Sequence, residues 1–108
     1  MSVITKLKTV RDALNDVHDN VNHYSSDSSG NEYIVWSEDG EGNSLHLDNS
    51  KNTQIITGTI DFFTTEEYSP VIDDIQNSLE KAGISYILNS VQYEEETQFI
   101  HYEWRFEI

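Results

Sequence analysis

The chain contains no cysteine and a single proline, Pro70. Lacking a thiol, it has no cysteine nucleophile, no disulfide framework and no Cys-ligated zinc. Compartment stays open, since cytosolic and secreted chains alike can lack cysteine. Basic residues are also scarce: six Lys and Arg stand against twenty Asp and Glu, for a net charge of −14. Residues 1–50 carry nine acids and three bases, and residues 51–108 carry eleven and three. The acidity therefore belongs to the whole chain and not to a tail. A protein that grips phosphates needs a basic footprint, and none is visible. The charge serves solubility, or it makes a surface that repels nucleic acid or meets a basic partner. No apolar run approaches the roughly 18 residues of a membrane span, and the opening MSVITKLKTV has no long apolar core of a signal peptide.

Motifs that carry chemistry are missing as well. There is no HExxH, no GxSxG, and no EF-hand spacing in the acidic stretch EDGEGNS at 38–44. The four histidines, His18, His23, His46 and His101, are scattered; surface or capping roles are expected for them. Glu94, Glu95 and Glu96 read as a solvated turn, and Trp36, Tyr102 and Trp104 as core aromatics. No catalytic, cofactor-binding or metal-binding residue is assigned, and an enzyme is not expected.

What is present is pattern. The run FIHYEWRFEI at 99–108 alternates strictly: Ile100, Tyr102, Trp104, Phe106 and Ile108 share one side, and His101, Glu103, Arg105 and Glu107 share the other. That is the period of a half-buried strand. Val3, Leu7, Val10, Leu14, Val17 and Val21 recur at helical spacing, so a helix is expected over 3–21 with Ser2 as its cap and Ala13 widening the stripe. A polar loop at 24–32 leads to a short strand at 33–37. A turn follows at 38–44, sharpest at Asp39-Gly40, then a short strand at 45–47. Residues 53–64 read as an interior strand with Ile56, Gly58, Ile60 and Phe62 on one face, Gly58 marking a bulge or a close backbone approach. Ser69-Pro70 opens a second helix, Ile72, Ile75, Leu79 and Ala82 form its buried stripe, and Gly83 closes it. Residues 84–93, irregular near Asn89-Ser90, form a hairpin with the last strand through the turn at 94–97. The expected fold is α+β: one domain over residues 1–108, two-layered, with a mostly antiparallel sheet of four to five strands and two amphipathic helices on one face.

Several of these phrases together resemble the tail-terminator (tail-completion) proteins of long-tailed bacteriophages. They are the first helix from Ile4 to Val21, the strand Tyr33–Trp36, GTIDFFT at 58–64, YSPVIDDIQNSLEKAG at 68–83 and YEEETQFIHYEWRFEI at 93–108. The proline that often precedes the first strand in that family is replaced here by Asn31-Glu32. The resemblance implies a structural virion protein assembled in the host bacterial cytoplasm. It implies a ring, typically a hexamer, at the head-proximal end of the tail tube, with tail tube protein and head-completion protein as partners. It implies no specific nucleic-acid binding, DNA passing through the ring, no membrane and no cofactor. A neck, head–tail connector or minor capsid protein is the neighbouring alternative. An acidic binding protein or nucleic-acid mimic is the alternative from another class. Ring contacts are expected at Ile55 and Phe63 on the outer side of the 53–64 strand and in the loops at 25–32 and 38–44.

Overall fold

The computed structural model describes residues 2–27, 29–42 and 54–108. The elements run α1 (Val3–Asn15), β1 (Val21–His23), β2 (Glu32–Glu41), β3 (Ile56–Thr64), α2 (Val71–Lys81), β4 (Ser85–Glu94) and β5 (Phe99–Glu107). The strands form one sheet in the order β1-β2-β3-β5-β4. β2, β3, β5 and β4 pair antiparallel, whereas β1 lies parallel to β2. The fold is thus a two-layer α+β with a mixed five-stranded sheet.

The alternation seen in the sequence builds the core. Ile34 lies opposite Phe62, Trp36 opposite Ile60 and Ile60 opposite Trp104. These side chains share one face of the sheet, and Val10, Ala13 and Leu14 of α1 and Ile75 and Leu79 of α2 pack on it. The buried indole of Trp104 donates to Gln76 Oε1 at 3.0 Å, so the layer of α2 satisfies the polar atom it covers. Ser78 Oγ donates to the Ala13 carbonyl at 2.7 Å and ties the two helices together. Gly58 is a close approach: a Cβ there would stand 2.3 Å from the Ser37 carbonyl oxygen and 2.5 Å from the Phe106 ring.

Three expectations need correction. The first helix ends at Asn15, not at 21. Past Asn15 the chain is rich in Asp and Asn, which offer the backbone competing hydrogen bonds, and His18 Nδ1 accepts the Asn20 N–H at 3.0 Å. Val21 keeps its inward position by joining β1 instead, opposite Ile34. Second, Asp39-Gly40 is not a turn. β2 runs through it with a bulge between Glu38 and Gly40. The Asp39 carboxylate accepts from Thr57 Oγ1 at 2.7 Å and from Arg105 Nη1 at 3.0 Å, and these cross-strand partners hold it in the sheet. Third, α2 begins at Val71, with Pro70 at its boundary, although Ser69 Oγ still accepts the Val71 N–H at 3.3 Å. The expected strand at 45–47 lies outside the described residues.

The rest of the second half follows the pattern. Asp73 and Asp74 occupy the first turn of α2 and Lys81 the last, matching the helix dipole. Gly83, at φ 75°, lets the Ile84 N–H reach the Leu79 carbonyl and its own N–H reach the Glu80 carbonyl, the paired bonds of a Schellman stop. β4 carries its irregularity between Leu88 and Ser90.

Candidate interaction surfaces

The outer face of the sheet is largely self-contained. At one end Phe63 stacks on Tyr33, centroids 4.7 Å apart, and on His101 at 4.2 Å, with Phe99 edge-on to both Tyr33 and Phe63. Phe63 therefore has intramolecular cover, contrary to the expectation that it waits for a neighbour. Next to this cluster His101 Nε2 meets Asp61 Oδ1 at 2.7 Å. The Asp61 hydrogen bond holds the imidazole above its ordinary value, outweighing the opposite effect of burial, with the charges of Asp61, Glu103 and Glu94 adding to it. Further along, Thr57, Asp39 and Arg105 form the bulge-spanning group already described. Hydrogen bonds from Thr57 first, then Arg105, keep the Asp39 carboxyl below its usual range against the effect of burial. Ile55 is half-buried beside Gly42, whose N–H donates to the Ile55 carbonyl at 2.8 Å. Of the expected contact loops, residues 38–41 belong to β2, while 28, 43 and 44 lie outside the described residues.

Each described histidine faces one carboxylate: His18 with Glu32 at 3.4 Å, His23 with Glu38 at 2.7 Å and His101 with Asp61. No three His, Cys, Asp or Glu side chains gather into a metal-sized group among the described residues. Glu32 is a hub. Its Oε2 accepts from Thr64 Oγ1 at 2.7 Å and from Ser69 Oγ at 2.9 Å, both hydroxyls being buried. One carboxylate thus joins the start of β2, the end of β3 and the entry to α2.

Among the described residues two surfaces at opposite edges of the sheet stand out. The first is β4, an edge strand of ten residues. Ile87, Leu88, Val91 and Tyr93 are 66%, 43%, 50% and 60% exposed. No charged residue occurs between Lys81 and Glu94, which is unusual in so acidic a chain. Edge strands are commonly guarded by lysine or proline, and β4 has neither; its guards are the bulge at Asn89 and Glu94 at its end.

The second surface lies at the β1 edge. Ile4, Leu7, Lys8 and Arg11 recur at three- and four-residue spacing and so share one face of α1. With His23 and Trp36 they line a cleft of about 170 Å³. His23 stacks on Trp36 at 4.0 Å and on Tyr24 at 3.8 Å. Glu38 fixes this corner by accepting from His23 and from the Tyr24 hydroxyl. Burial pushes the Glu38 carboxyl up, but these two hydrogen bonds, together with a backbone hydrogen bond and the charge of His23, outweigh it and leave it lowered. The even spread of acids over the two halves of the chain masks this patch. Lys6, Lys8 and Arg11, half of all the bases, precede the first acid, Asp12.

The sequence matches no protein-family model and no curated protein.

Proposed function

We propose that this chain is a structural subunit that acts by assembling with copies of itself into a ring, of the kind that closes the head-proximal end of a phage tail tube and readies it for the head. The observation that carries this reading is β4: a ten-residue sheet edge, uncharged from Ser85 to Tyr93, on which Ile87, Leu88, Val91 and Tyr93 stand exposed. Such an edge is a liability in a monomer and an asset in an assembly. The phrases that resemble tail terminators support the same reading. The role needs no catalysis: the subunit has to be rigid, to meet its neighbours, and to let DNA pass without gripping it. A net charge of −14 suits the last requirement, because an acidic lumen repels phosphate.

Mass measurement by light scattering, at low and raised salt and with isolated tail tubes, tests the proposal. Closed rings in solution or on tube ends are expected, together with tails that join heads only when the protein is supplied. A chain that stays monomeric throughout and leaves head joining unchanged overturns it. The charge itself favours a second reading, an acidic mimic that occupies a basic cleft. That protein would remain monomeric and would bind a basic partner.

A further inference from the structure

Resting on the ring reading, we propose the joint that closes the ring: the β4 edge of one subunit docks into the α1–β1 cleft of the next, with Tyr93 in the cleft and the acids after it against Lys8 and Arg11. The occupant is a second copy of this chain. Three observations carry the assignment.

The first is charge. Two copies at −14 repel each other over most of their surfaces. Residues 1–11 hold three bases and no acid, the densest run of bases in the chain, and Lys8 and Arg11 stand at the cleft. Directly after the exposed Tyr93 come Glu94, Glu95 and Glu96, at the end of the uncharged edge. Apolar meets apolar and acid meets base in one register, an arrangement that both attracts and orients. Lys6 ties α1 to the Ile108 carbonyl at 3.3 Å, and Arg11 meets Asp12 at 2.9 Å with its side chain still half exposed, but the charges as a set do not serve the helix dipole: the first turn has no acid, the last turn has no base, and Asp16 sits at the C-cap.

The second observation is size. A cavity of about 150 Å³ accommodates one benzene ring. The cleft, at about 170 Å³, matches a single aromatic side chain, and its lining includes Ile4, Leu7 and the His23 ring stacked on the buried Trp36. Tyr93 is an exposed aromatic on a strand and is followed directly by acids.

The third is placement. β1 and β4 are the two ends of the sheet order. A contact between unlike patches on opposite edges repeats head to tail, which generates a ring when the rotation closes. Pairing β4 with β4 would instead bury the same patch twice and stop at a dimer.

The absence of cysteine gives a clean test. Thr5→Cys and Glu95→Cys both fall on exposed residues beside the proposed contacts. A flexible bis-maleimide is applied to each variant alone, to their mixture and to the double variant, under conditions where the wild-type protein assembles. The mixture is expected to give covalent dimers, each single variant none, and the double variant a ladder that ends at the ring. Dimers from Glu95→Cys alone overturn the proposal in favour of a two-fold β4 joint. Assembly without any cross-link overturns the joint and leaves the ring reading standing. A wild-type chain that never assembles, with salt or with tail tubes, overturns both. As an independent measurement, Lys8→Glu with Arg11→Glu should weaken association at least about tenfold, and Glu94→Lys with Glu95→Lys in the partner should restore it. Equal association in the doubly reversed α1 variant also overturns the joint.

Discussion

Glu32 shows what one side chain does for this fold. Its carboxylate holds the buried hydroxyls of Thr64 and Ser69, and Ser69 in turn accepts the first helical N–H of α2. Glu32→Ala strands both hydroxyls, so a loss of about 2–3 kcal/mol is expected in urea unfolding. Trp104 is fully buried, and Trp104→Ala should cost about 3–5 kcal/mol by the same measurement. His101 gives a pH signature. Its proton is held more tightly in the folded state, chiefly through Asp61. Below the ordinary histidine value of about 6.5 both folded and unfolded chains carry that proton and the pair contributes in full. As pH rises through the higher folded value the contribution is lost. Stability should therefore fall from about pH 6.5 upward, and His101→Gln should flatten that slope in a series of unfolding curves.

At the level of elements, α1 and α2 stand in contrast. α2 has three local devices: acids in its first turn, a base in its last and a glycine stop. A Cβ at Gly83 meets nothing within 4 Å, so Gly83→Ala tests the backbone alone. The left-handed conformation should cost about 1–2 kcal/mol, read as a shifted denaturant midpoint with an unchanged slope. α1 has a capping serine, with the Thr5 N–H donating to Ser2 Oγ at 3.0 Å, but its charges run against its dipole. Its stability comes from Val10, Ala13 and Leu14 against the sheet. This leaves the flank of its first turns, with Ile4, Lys8 and Arg11, open to a role unrelated to folding.

For the whole molecule, charge and apolar edge pull in opposite directions. At low ionic strength the −14 charge keeps copies apart. At about 0.15 M salt the reach of that repulsion shortens to about 8 Å, while apolar contacts are untouched. Self-association should therefore strengthen as salt is raised from very low values, and sedimentation velocity at a series of ionic strengths checks this. A monomer–oligomer balance that weakens from the first addition of salt would mean that local ion pairs, not the global charge, govern assembly.

Strict alternation from Phe99 to Glu107 and from Ile56 to Thr64, and helical spacing from Ile72 to Ala82, were legible in the sequence because each period places apolar side chains on one face of a regular element. So were the Gly83 stop and the irregular stretch at Asn89-Ser90, where local chemistry decides the backbone. Tertiary structure decided the remainder. Val17 and Val21 continue a helical spacing that the chain does not follow, since pairing with β2 is available only once β2 is in place. Asp39-Gly40 has the residues of a turn but stays in a strand, because Thr57 and Arg105, distant in sequence, hold the carboxylate. Phe63 looked exposed by parity, yet Tyr33, Phe99 and His101 cover it from two other strands. The cleft at α1 and the open edge at β4 are legible only together, since periodicity says which side of an element is apolar and only strand order says which elements end up on the outside of the sheet.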